Sequence, residues 1–185
     1  MNQILPLLVA LTMMTSCNNP AIKSAPEAEN TSTAQEFKIS LAQWSINRLV
    51  FTGQADPMDF AATAKDLGYT GLEYVSQLYV SDQVNYPMKD QGLDSILKVL
   101  KQRSDALGMQ NVLIMVDGEG DLSENDESVS QQAVENHKKW VDAAQFLGCH
   151  SIRVNAHGVG TYEEVAEAAV KGLTELATYA ATKGI

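Results

Sequence analysis

One phrase recurs along the chain and limits what it can fold into. Leu67-Gly68 leads into Leu72-Glu73-Tyr74-Val75, Leu107-Gly108 into Val112-Leu113-Ile114-Met115-Val116, and Leu147-Gly148 into Ile152-Arg153-Val154-Asn155. Lys183-Gly184-Ile185 opens the phrase a fourth time, and the glycines are spaced 40, 40 and 36 residues apart. An amphipathic helix that stops at a glycine uses the one residue that takes a left-handed C′ conformation without steric cost. A short apolar, β-branched run soon after it reads as a buried strand. The phrase is therefore a helix end feeding a strand, and its repetition predicts strict alternation of the two.

The intervening segments agree. Met58 to Leu67 is rich in Ala and follows Asp56-Pro57, with proline early in the helix. Leu93, Ile96, Leu97 and Leu100 recur at helical spacing within a helix predicted over Leu93 to Leu107. Val134, Val141 and Ala144 mark a third helix, Val134 to Leu147. Val165, Ala169, Leu173 and Leu176 mark a fourth, Tyr162 to Thr182, with Thr161 and Glu164 as its capping box. A first strand is predicted over Phe37 to Gln43. Strand–helix alternation implies parallel strands joined by right-handed crossovers. The expected fold class is α/β, a parallel (β/α)8 TIM barrel of which this chain supplies the first four βα units, since a full barrel takes about 250 residues. A small doubly wound sheet is the alternative, but no glycine-rich phosphate turn follows the first strand, where the residues are Ala42-Gln43-Trp44-Ser45-Ile46-Asn47.

Residues 1–36 have a different character. Ile4 to Met14 is almost wholly apolar, a length that suits an export signal and falls short of a membrane span. It runs into Met14-Thr15-Ser16-Cys17, which resembles a bacterial lipobox, with Met14 in place of the usual Leu and no Lys or Arg before the apolar run. The resemblance implies lipidation of Cys17, an exported protein at the cell envelope, and membrane contact only through that anchor. Residues 18–36 are polar and small, too poor in apolar surface to offset their ordering entropy, and read as a tether. The folded domain is expected over residues 37–185. Cys149, the other of two cysteines, is expected to be a small buried apolar residue rather than half of a disulfide.

Within that domain, Ser40-Leu41-Ala42-Gln43-Trp44-Ser45, Gly71-Leu72-Glu73-Tyr74-Val75, Leu113-Ile114-Met115-Val116-Asp117-Gly118 and Ser151-Ile152-Arg153-Val154-Asn155 resemble the xylose isomerase-like TIM-barrel family of sugar phosphate isomerases and epimerases. The resemblance implies metal-assisted proton transfer on a small carbohydrate, with a non-catalytic carbohydrate-binding or interaction protein as the alternative. It also implies a divalent metal ion whose ligands, in the epimerase-like branch, come from strands five to eight. No metal ligand is carried onto this chain. Nucleic acid is not an expected partner, because the net charge of -10 opposes a phosphate backbone.

In such barrels the site lies at the C-terminal ends of the strands. The candidates there are Trp44, Glu73, Asp117, Glu119, Arg153, Asn155 and His157. Trp44 can stack on a sugar's apolar face. Glu73 and Arg153 each alternate with apolar neighbours, and a charge inside a strand needs a partner, so the two are expected to pair across the lumen. Asp117-Gly118-Glu119-Gly120-Asp121 fails as a calcium loop, because Leu122 and Ser128 stand where glycine and the bidentate glutamate are required. It is expected to be a mobile acidic loop at the mouth. His157 is the histidine best placed for sugar hydroxyls, whereas His137 should pack on a helix face and His150 lie in a turn. Gly158-Val159-Gly160 is a weak phosphate signal. Open edges on the first and fourth strands predict that the isolated chain self-associates. Light scattering on the purified chain checks this, and a clean monomer that unfolds cooperatively contradicts it.

Overall fold

The strands of the computed structural model lie in sequence order, β1-β2-β3-β4, and every neighbouring pair is parallel. The model describes residues 37–185. The predicted signal segment 1–17 with Cys17 and the predicted tether 18–36 lie outside the described residues. β1 (Ser40–Ala42), β2 (Gly71–Val75), β3 (Gln110–Met115) and β4 (Ser151–Arg153) alternate with helices as the repeated phrase requires. Gly108 and Gly148 close their helices at φ 67° and 82°, the left-handed conformation expected of the phrase.

The helices are α1 (Asn47–Phe51), α2 (Phe60–Asp66), α3 (Gln77–Val80), α4 (Leu93–Leu107), α5 (Glu127–Leu147) and α6 (Tyr162–Thr182). α5 begins seven residues before the predicted start at Val134. Its first two turns are mostly polar, with only Val129 and Ala133 apolar, and Asp126 starts the helix by accepting the backbone N–H groups of Ser128 and Val129. The first strand is shorter than predicted, because Gln43–Ile46 turns into a 3-10 helix directly after Ala42.

Strand alternation divides the sheet into two faces. Leu41, Leu72, Tyr74, Ile114 and Val116 face the helices and pack with Phe60, Ile96, Leu100, Trp140 and Leu147 in the main core. A buried polar chain crosses this core: Tyr74 Oη donates to Asn111 Oδ1 at 2.7 Å, while Asn111 Nδ2 donates to Ser104 Oγ and to the carbonyl of Leu147. Burial pushes the Tyr74 phenol well above its ordinary range, so it stays a neutral donor. Cys149 is buried as expected, and desolvation pushes its thiol up to about 12. His137 is buried with Nδ1 2.7 Å from the Ala133 carbonyl, which only a protonated Nδ1 can satisfy, and His150 is exposed at the bend before β4.

The loop joining β3 to α5, expected to be a mobile acidic segment, is packed against its neighbours. Leu122 and Ser123 are fully buried, Ser123 N donates to the His157 carbonyl, and Asn125 Nδ2 donates to the Val159 carbonyl. The loop backbone presses so closely on its neighbours that they must be glycine. A Cβ on Gly172, in mid-α6, would lie 2.1 Å from the Leu122 carbonyl oxygen, and one on Gly158 would lie 2.0 Å from that of Ser123. Among the described residues no helix is long and apolar enough to cross a membrane. Gly172→Ala improves helix propensity and yet is expected to destabilise the domain by about 1–3 kcal/mol, because the loop must be displaced. Urea unfolding measures it, and an unchanged or raised midpoint would show that the clamp is not real.

Candidate functional site

The C-terminal ends of the strands open onto a cavity of about 640 Å³, within the range of small-molecule sites. Trp44, Gln77, Met115, Asp117, Arg153 and Asn155 line it. Met115 and Arg153 end β3 and β4, and the others come from the segments that leave the strands. Trp44 sits in the 3-10 turn after β1, partly exposed, with its indole braced edge-on by Phe51 at a centroid distance of 6.2 Å. Gln77 begins α3, immediately beyond β2.

Register decides which polar groups meet. Val75, Met115 and Arg153 stand opposite one another on β2, β3 and β4, whereas Glu73 stands opposite Leu113, and Leu113 opposite Ser151. Glu73 and Arg153 are thus two residues out of step along the strands. The expected lumen pair is absent, and each side chain has another partner. Glu73 Oε1 accepts from Ser40 Oγ on β1 at 2.5 Å. Arg153 reaches Asp117, just past the end of β3: Nη1 donates to Oδ1 at 3.1 Å and Nη2 to Oδ2 at 3.4 Å. Asn155 closes a triangle, with Nδ2 donating to Asp117 Oδ1 at 2.6 Å and Oδ1 accepting from Arg153 Nη1 at 2.8 Å. This arrangement fixes the Asn155 amide orientation, since only its nitrogen can donate to the carboxylate.

Ser76 holds this cluster from behind, and Gln43 ties the end of β1 to β2 and α3. Ser76 is fully buried, and its Oγ accepts from Asp117 N at 2.9 Å. Gln43, also fully buried, accepts the Val75 N–H at Oε1 and donates from Nε2 to Tyr79 Oη at 2.7 Å. Neither was singled out from the sequence, although both stand at strand ends, where the barrel rule directs attention.

Glu119 is a correction of another kind. It does not line the mouth. The chain reverses after Asp117 and buries the Glu119 carboxylate against α5, where Oε1 accepts from Trp140 Nε1 at 2.7 Å and Oε2 from Lys139 Nζ at 2.8 Å. It anchors the loop. His157 lies exposed on the rim beyond β4 and is not among the cavity's lining residues.

Among the described residues, no group of three His, Cys, Asp or Glu side chains is placed to hold a metal ion. Glu73 and Asp117 are already engaged by Ser40 and by Arg153 with Asn155. The described residues therefore do not fit the divalent metal that the family resemblance implies.

The sequence model of a family described as "Xylose isomerase-like TIM barrel" matches residues 61–185. No curated protein matches the sequence. Solved structures match the fold at low identity. A sugar phosphate isomerase/epimerase from Parabacteroides distasonis is 20% identical with a TM-score of 0.58, over 87% of this chain and 54% of that one. The 3-keto-D-glucoside 4-epimerase from E. coli is 14% identical with a TM-score of 0.55, over 70% and 49%. A D-psicose 3-epimerase solved in the presence of D-fructose is 13% identical with a TM-score of 0.59, over 80% and 50%. The chain spans about half the length of these structures.

Proposed function

The chain belongs to the xylose isomerase-like TIM-barrel family, and from that premise we propose that it supplies the substrate-binding face of a sugar isomerase or epimerase. The observation that carries the reading is the Asp117–Arg153–Asn155 triangle facing the cavity that Trp44 also lines. The triangle offers fixed donors and acceptors to hydroxyl groups, and the indole offers an apolar face to ring C–H groups. The names of the structural neighbours, two epimerases and an isomerase/epimerase, support the same substrate class.

Isomerisation and epimerisation beside a carbonyl both remove a carbon-bound proton and return one. The mouth carboxylate, Asp117, is bound to Arg153 and Asn155, so we assign binding and orientation to this half of the barrel and proton transfer to groups outside the described residues. The same observation favours a second reading, a carbohydrate-binding module without catalysis. The native protein, incubated with D-fructose in deuterium oxide and followed by proton NMR, separates the two. Loss of a carbon-bound proton signal is expected, and Trp44→Ala is expected to weaken sugar affinity about tenfold. Binding without exchange selects the second reading. Neither binding nor exchange eliminates both for this sugar.

We further propose that residues 1–17 export the protein, that Cys17 is acylated, and that residues 18–36 tether the domain at residues 37–185 to the cell envelope. Metabolic labelling with a fatty-acid analogue is expected to mark the native protein and to leave Cys17→Ala unmarked. Equal labelling of both removes the lipobox reading.

A further inference from the structure

We propose that the groove between α4 and α5, on the outside of the domain, is the contact face of a two-fold dimer and is covered by a second copy of this chain. The groove has a volume of about 400 Å³ and an apolar floor of Leu93, Leu97, Ala143 and Phe146. It does not lie at an open edge of the sheet, because α4 packs beside α2 on one side and α5 beside α6 on the other. The Phe146 ring is exposed there, 45% of its surface open to water among apolar neighbours.

The order of charges on the groove's walls points to the occupant. Asp94 and Lys98 border the groove on α4, both exposed and about one helical turn apart. Elsewhere on α4, Lys101 pairs with Asp105 and Arg103 with Asp59, whereas Asp94 and Lys98 take part in no ion pair among the described residues. A two-fold axis crossing the groove sets α4 antiparallel to its copy, and in such a contact residue i meets j while j meets i. Asp94 then faces the partner's Lys98, and Lys98 faces the partner's Asp94. One acid and one base, acid first, thus supply two ion pairs.

The α5 wall adds no charge that opposes this. Lys139 is paired with Glu119 and Asp142 with Lys183, so both are compensated within the chain. A purely acidic partner would set a like charge against Asp94, and a purely basic one against Lys98. A second copy answers both, and its own apolar floor covers Leu97 and Phe146 in the same step. The contact also stands behind the mouth. Lys139, which lines the groove, donates to Glu119 in the loop that carries Asp117.

Sedimentation velocity of the native protein reads the contact, and a dimer is expected. Lys98→Asp sets acids against acids across the axis, and Asp94→Lys sets bases against bases. Each variant alone is expected to raise the dimer dissociation constant at least about tenfold. Both substitutions in one chain restore an acid opposite each base and are expected to recover the dimer. An equimolar mixture of the two single variants is expected to recover it as well, which a damaged fold would not do. Phe146→Ala leaves the charges alone and is expected to weaken the dimer about tenfold. A native monomer overturns the inference and leaves the groove to a partner of other chemistry. A dimer indifferent to all three substitutions also overturns it, and moves the contact to the open edges at β1 and β4.

Discussion

Parallel pairing in strict sequence order leaves β3 between β2 and β4, and the register along that ladder sets the chemistry of the mouth. Met115 pairs with Arg153, so the residue two further along each chain, Asp117 and Asn155, leaves the sheet on the same face as the guanidinium. A slip of β4 by one residue would turn Arg153 and Asn155 toward the helices and away from Asp117. The register of β2 on β3, with its irregularity between Leu72 and Glu73, carries Glu73 one layer deeper, level with Leu113. There its neighbour across the pleat is β1, and Ser40 rather than Arg153 satisfies it. Two charges that each need a partner thus find different ones because the strands hold them a layer apart.

A site built from residues just beyond strand ends needs its loops held still, since misplacement by about an ångström loses much of the advantage of fixed donors. Here the loop after β3 is held at three points. The buried Glu119 carboxylate is bound by Trp140 and Lys139, Leu122 sits in a second apolar cluster with Val134, Val141 and Leu176, and the backbone at Leu122 rests on Gly172. The loop after β4 is joined to it through Ser123 and His157 and through Asn125 and Val159. Asp117 and Asn155, which come from these two loops, are therefore fixed relative to each other by contacts outside the triangle itself.

Elements with a local signal were legible in the sequence. The Leu-Gly phrase marked where helices end, and Thr161 with Glu164 marked the start of α6, because capping and glycine stops depend on a few adjacent residues. The largely polar start of α5, with only Val129 and Ala133 apolar before Val134, carried no such clear periodic signal, and the prediction began at Val134 instead. Pairings across the sheet were not legible, since alternation places Glu73 and Arg153 on the same face but says nothing about their layer. Glu119 shows the same limit in a loop. Its place beside Asp117 suggested the mouth, yet a reversal of the chain at Gly118 and Gly120, both at positive φ, turns it onto Trp140. Ser76 and Gln43 were missed although the strand-end rule pointed at their positions, because neither residue type announces that it is buried.

The polar and apolar requirements of this half-barrel are met to different degrees. Among the described residues, Ser123 Oγ alone is a buried side-chain polar atom without a partner, and Arg153, on the outermost strand, finds its counter-ion within the chain. Apolar surface is left over at both edges. Phe37 and Ile39 precede β1 at 78% and 54% exposure, and Val170 on α6 is 68% exposed. Beside β4, Ile152, Val154, Leu173 and Ile185 line an open groove of about 280 Å³. Whatever closes these edges must bring apolar side chains and strand backbone, and it need not bring charge to satisfy Arg153. The electrostatic character of the mouth on this side is therefore set by β3 and β4 themselves, while burial at the two edges depends on what packs against them.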